Sequence, residues 1–322
     1  MIIGVDETGS FKDNQTEQFG LVTLVSVTDS EWKNFQEFIN TNFPTAFNNT
    51  KGSNIPFPDR EKILKYIGHH PEIKYTTIIY DLNYGQQAVV EAHKINQIVK
   101  IQNWIIENLT NAYLSLIEDL ELLRNQIGNL SSTDYSKFFF ITELFIEWQQ
   151  YFLFDYVYTH ISRDSWKMEH VVDTQVKPDK FKRMVNATMH LTANNYNPNF
   201  SVKTPKEWED THPFLVNHSV DGTRDFQDGK KLFENFKIGT EQTDHILFIP
   251  DLIGNTVFNS ILHADSVSWL KILARLKQNR SITMTKNGKK NNYYLISGFS
   301  GSDPSVSTNQ IFQKHFDKMK LY

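Results

Sequence analysis

Cysteine is absent from all 322 residues, which excludes disulfides, thiolate zinc centres and cysteine nucleophiles together. Any metal must therefore rest on Asp, Glu, His or Asn. A dominant charge is also lacking: 33 Lys and Arg stand against 37 Asp and Glu, a net charge of −4. No global polyanion footprint exists, so contact with nucleic acid needs a local basic patch. No stretch approaches the ~20 uninterrupted apolar residues that span a bilayer, because Glu143, Glu147 and Asp155 interrupt the greasiest one. No membrane role is expected. The opening MIIGVDETG lacks the basic lead and apolar length of a secretory signal, which makes the cytoplasm the expected location. Aromatic residues are abundant, with 24 Phe and 13 Tyr, enough planar area for a thick core or an interface. At 37.6 kDa the chain holds one large domain or two ordinary ones.

The hydropathy pattern predicts α/β alternation. Residues 2–6 and the β-branched run Phe19–Val27 read as an opening hairpin. Ser30 is the predicted cap of a helix over 31–41, a loop covers 43–58, Asp59–Gly68 forms a second helix, and Tyr75–Tyr80 is a strand ending at Asp81. From about 86 to 126, Ile95, Ile98, Ile105, Leu109, Leu116, Leu120 and Leu123 recur every three or four residues, the spacing of one long amphipathic helix. A second helix, 134–160, carries Phe138, Phe139, Phe140, Phe145, Trp148, Phe152 and Phe154. Together they read as an antiparallel hairpin whose aromatic stripe is core or dimer seam. Val171-Val172 reads as a strand running into Asp173, followed by a helix over 178–192. A weak strand is expected near 199–203. His245–Phe248 reads as a short strand before a helix over 251–278 that has Pro250 and Asp251 at its start. Asn287-Gly288 between apolar runs signals a hairpin.

Three acids stand at corresponding points of these units: Asp6 ending the first strand, Asp173 ending a middle strand, and Asp251 opening a late helix. Strand ends of open α/β sheets are where sites form. Glu7 adds a carboxylate beside the first. Hard divalent cations take oxygen ligands, and two of them about 4 Å apart can flank a phosphodiester. Basic candidates for local phosphate contact are Lys51 in its loop, Lys180 and Arg183 in the helix after Asp173, and a second group of Arg275, Lys277, Arg280, Lys286, Lys289 and Lys290. Asp81 is a reserve ligand, and His245 and His263 flank the late helix.

The segment Ile3-Gly4-Val5-Asp6-Glu7-Thr8-Gly9 resembles the D-E-S-G start of a family of RNase H-like proteins of unknown function and is similar to the D-E-A-G start of type 2 ribonucleases H. Val171-Val172-Asp173 resembles that family's second acidic strand, and Ile249-Pro250-Asp251-Leu252-Ile253-Gly254-Asn255 its late A-D-L-I-A-G helix. Thr8 stands where the motif has Ser or Ala, and Pro250 where it has Ala. The resemblance implies an α/β fold with an RNase H-like mixed sheet and flanking helices, split into 1–85 and 161–322 by an inserted α-helical hairpin at 86–160. It implies a D-E-D-D site for Mg²⁺ or Mn²⁺. Asp6 would bridge two ions, Asp173 and Asp251 would each hold one, and Glu7 would bind metal or orient water. The implied activity is metal-dependent hydrolysis of RNA or DNA.

Two other readings stand beside it. One is a non-catalytic subunit that binds nucleic acid or assembles with a second copy or another protein through the 86–160 helices. The other rests on Arg163 followed by His170, similar to the R-x(4–6)-H pattern of small helical ribonucleases that act without metal.

Overall fold

The computed structural model describes residues 1–9, 19–47, 51–81, 87–110, 114–147, 169–172, 180–185, 187–188, 215–217, 225–227, 235–240, 243–278, 295–297, 314–315 and 317–319. Strand β1 (Ile2–Thr8) pairs antiparallel with β2 (Phe19–Val27). Helices α1 (Asp29–Asn42) and α2 (Phe57–His69) precede β3 (Ile73–Asp81), which returns antiparallel to β2. Three helices follow: α3 (Gln87–Asn108), α4 (Leu114–Asn129) and α5 (Ser132–Glu147). Strand β4 (Glu169–Val172) lies parallel to β1, and residues 180–185 are helical. Strands β5 (Leu215–Asn217) and β6 (Asp225–Gln227) make a separate ribbon, and β7 (Asn235–Ile238) pairs parallel with β4. Helices α6 (Phe248–Leu262) and α7 (Val267–Ala274) follow, then β8 (Leu295–Ser297), parallel to β3. The main sheet is mixed and six-stranded, in the order β7-β4-β1-β2-β3-β8.

Both faces of this sheet are covered, which explains why every residue of β2 is buried. Alternation sends Val22 and Leu24 to one face and Leu21, Val25 and Val27 to the other. The first face meets α3, α4 and α5 through Ile101, Leu120, Leu123, Tyr135 and Phe138. The second meets α1, α2, α6 and α7 through Phe35, Ile63, Leu252, Val257 and Leu273. The domain is thus three layers, helices on both sides of a sheet. The helices between 87 and 147 form one continuous core with β1 to β4, so they supply a layer of the domain rather than an appendage to it.

The structure differs from the sequence expectation at four points. The expected single helix over 86–126 is two helices, α3 and α4, joined at a turn at Leu109-Thr110 and packed side by side. Apolar periodicity runs through the break because both helices turn their stripes to the same core. Thr28, not Ser30, caps α1: its hydroxyl accepts from the Glu31 amide at 3.3 Å. His245–Leu247 is a 3₁₀ turn leading straight into α6 instead of a strand. The expected helix over 251–278 is divided between α6, α7 and a 3₁₀ turn at Arg275–Gln278. The expected strand near 199–203 and the Asn287-Gly288 turn lie outside the described residues. Among the described residues, one helical window, His245–Leu262, is long and apolar enough to cross a membrane, with mean hydropathy 1.2. It is 72% buried against the sheet and neighbouring helices.

Candidate functional site

The site is built where α6 crosses β1. Pro250 and Gly254 lie four apart on one face of α6, and that face meets the strand. A Cβ added at Gly4 would stand 3.4 Å from the Pro250 ring, and one added at Gly254 would stand 2.5 Å from Thr8 Oγ1 and 3.1 Å from Thr23 Oγ1. The first is an ordinary contact, whereas at 254 only glycine allows so close an approach. Gly4, Asp6 and Thr8 alternate on one face of β1, so Asp6 lies on the face that α6 covers, between the two contact points. Its register partner is Thr23, which pairs in turn with Thr77. The two hydroxyls are 3.0 Å apart. Asp6 therefore heads a buried polar row across three central strands, at 5% exposure itself.

Asp251 sits in the first turn of α6, where the amide dipoles favour a negative charge. It is 9% exposed. Its Oδ2 accepts the backbone N–H of Gly52, in a 3₁₀ turn (Gly52–Asn54) that follows Lys51. Burial pushes its carboxyl above the usual aspartate range, while the Gly52 amide, Lys51 and Arg60 pull it back. A Cβ at Gly52 would stand 2.7 Å from the same carboxylate oxygen and 2.8 Å from the backbone of Leu252. The Lys51-Gly52-Ser53 loop is thus pinned on the start of α6, with Lys51 exposed beside the acid.

Arg60 completes this knot. It comes from α2, is 1% exposed, and donates to the Gly52 carbonyl and to Thr256 Oγ1, the latter at 3.0 Å. Thr256 in turn donates a hydrogen bond from its hydroxyl to the Leu252 carbonyl. The guanidinium lies 5.1 Å from the Trp269 ring centroid, a cation–π contact. Burial lowers its pKa to about 10, opposed by the Asp251 charge, so it stays cationic at neutral pH. Arg60 was not picked out among the sequence candidates. A signal existed: 60, 63, 64 and 67 make up the apolar stripe of α2, and an arginine in that stripe must be buried.

Glu7 is turned away from this site. As the neighbour of Asp6 on a strand it points to the opposite face, where it accepts from Lys137 Nζ on α5. The expected four-carboxylate set is therefore not gathered: Asp6 and Asp251 share the α6 side, and Glu7 joins the α5 layer. Asp173 lies outside the described residues. The last described residue of β4, Val172, is the register partner of Val5, directly before Asp6. Among the described residues no cluster of three or more His, Asp or Glu side chains is placed to hold a metal ion.

The basic candidates separate likewise. Arg183 pairs with Asp119 of α4 at 2.7 Å. Its neighbours Phe181, Met184 and Val185 pack in the core on the α3–α5 face, so Arg183 is on the other side of the sheet from Asp251. Lys180 is exposed on that segment. Arg275 pairs with Glu61 at 2.6 Å. His245 stacks on Phe47 with centroids 4.7 Å apart, and His263 ends α6. Asp81 is the last residue of β3, paired with Phe19. His170 lies within β4, opposite Ile3, whereas Arg163 is outside the described residues, as are Arg280 and the lysines at 286, 289 and 290.

Fold and site together define an α/β protein with a mixed sheet, flanking helices and a buried acid–arginine knot at the start of α6. Comparison with family models, curated proteins and solved structures finds no match to this chain.

Proposed function

We propose that the chain is a divalent-metal-dependent nuclease with an RNase H-like carboxylate site. The observation that carries this reading is that Asp6 of β1 and Asp251 of α6, far apart in sequence, are both buried carboxylates on the same side of the sheet. Hard divalent cations take oxygen donors, and two carboxylates supply them. The chemistry of Asp6 and Asp251 fits Mg²⁺ or Mn²⁺, and Asp173 joins them in this reading because it follows Val172 in sequence. Glu7, held by Lys137, is left out of the donor set. A cation held here supplies Lewis acidity to a phosphate and to the attacking water. Asp6 and Asp251 fix its position, Arg60 and the Gly52 amide hold Asp251 in place, and exposed Lys51 gives a phosphate its first contact.

The mixed sheet, antiparallel on one side of β1 and parallel on the other, supports the RNase H-like comparison at the level of fold, which does not by itself fix function. The test is degradation of single-stranded RNA, DNA and an RNA–DNA hybrid with Mn²⁺. Cleavage that EDTA abolishes, and that Asp6→Asn loses while remaining folded, is expected. Full activity in Asp6→Asn would contradict the assignment.

One observation favours a second reading. Asp251 already has the Gly52 amide and the nearby Arg60 charge, and Glu7 already has Lys137. These arrangements suit a non-catalytic subunit that binds nucleic acid or assembles without metal. Nucleic-acid binding that persists in EDTA, with no cleavage of any substrate, would select it.

A further inference from the structure

Helix α3 shows two apolar faces. One, with Val90, Ile101 and Ile105, is buried against the sheet layer. The other carries Ile95, Val99 and Ile106. At 100° per residue these three fall within about 40° of one another, and Leu109 continues the series in the turn that follows. Leu114, at the start of α4, is exposed as well. These five side chains are between 49% and 74% exposed. Scattered apolar residues on a surface are ordinary, but an aligned stripe is not.

The spacing along the stripe is nearly palindromic. We infer that α3 pairs antiparallel with α3 of a second copy of this chain, about a two-fold axis between residues 102 and 103. Val99 then meets the partner's Ile106, and Ile95 meets the partner's Leu109. Each of these contacts occurs twice, as an isologous interface requires. The flanking charges obey the same symmetry. Exposed Lys100 and Glu107 lie on one flank of the stripe, and the pairing brings Lys100 within a turn of the partner's Glu107. The patch offers on the order of 500 Å² of apolar surface per protomer. Two such patches bury about 1,000 Å², the lower bound of a specific interface. The pairing is independent of the nuclease reading, because α3 packs on the sheet face opposite Asp251.

The chain's lack of cysteine makes the test clean. Sedimentation at tens of micromolar is expected to give twice 37.6 kDa, and Ile106→Glu, with unchanged circular dichroism, is expected to give the single mass. Glu107→Lys should weaken association about tenfold, and adding Lys100→Glu should restore it. Gln102→Cys, near the axis, should form an oxidised dimer, whereas Glu121→Cys on exposed α4 should not. A wild type that stays monomeric overturns the proposal. So does a dimer indifferent to Ile106→Glu, or one cross-linked equally well through either cysteine.

Discussion

Arg60 and Asp251 hold the backbone of one residue, Gly52, through its two flanking peptide groups: the carboxylate accepts the Gly52 N–H, and the guanidinium donates to the Gly52 carbonyl. Two opposite buried charges thereby fix the Lys51 loop on α6. Removing one leaves the other uncompensated in a low-dielectric site. Arg60→Ala is expected to lower unfolding stability by about 3–5 kcal/mol. In the Arg60→Ala/Asp251→Asn double variant the loss should fall short of the sum of the singles by at least ~1 kcal/mol. Urea denaturation of the four proteins measures this. Additive losses would mean that the two groups do not act as a pair.

Strand alternation separates Glu7 from Asp6, and Lys137 holds it on the α5 side. Glu7→Gln is accordingly expected to leave Mn²⁺ affinity within twofold of wild type and to cost no more than about 1 kcal/mol of stability, the usual value of a partly solvated ion pair. Titration of the variant decides it. A large loss of metal affinity would restore Glu7 to the donor set.

His315 is fully buried and stands 3.2 Å from Ser260 Oγ on α6. Burial lowers its pKa from 6.5 to about 4, so the folded protein holds the ring neutral while the unfolded chain takes up a proton first. Its contribution to stability is complete above pH 6.5 and is lost as pH falls toward 4, with a slope of at most about 1.4 kcal/mol per pH unit. Urea midpoints measured between neutral pH and pH 4 should decline on acidification, and His315→Gln should flatten that decline. An identical pH profile in the variant would remove His315 as its source.

Much of the sheet was legible from sequence because β2 and β3 are long, β-branched and bounded by turn residues. The acids at Asp6 and Asp251 were legible because each follows a short apolar run at the edge of an element. The split between α3 and α4 was not. Periodicity reports the face a residue buries, and both helices bury theirs in one core, so the stripe reads continuously through Leu109-Thr110. His245–Phe248 misled for a related reason: four mostly apolar residues carry no period that separates a strand from the buried start of a helix. The opposite orientations of Asp6 and Glu7 follow from simple alternation once β1 extends to Thr8, whereas a strand ending at Asp6 hid that consequence. Arg60 had a readable signal in the α2 stripe, but its partners come from a loop and a helix almost 200 positions away, which no local pattern records.

The most direct measurement of the proposed chemistry is a calorimetric Mn²⁺ titration of wild type and of Asp6→Asn/Asp251→Asn, each with and without a short non-cleavable oligonucleotide to supply phosphate oxygens. Binding in the wild type that disappears in the folded double variant is the expected result, and it would establish one site built from β1 and α6. Equal binding in both proteins, or none in either with the oligonucleotide present, would contradict a metal-dependent nuclease and leave the acid–arginine knot as architecture alone.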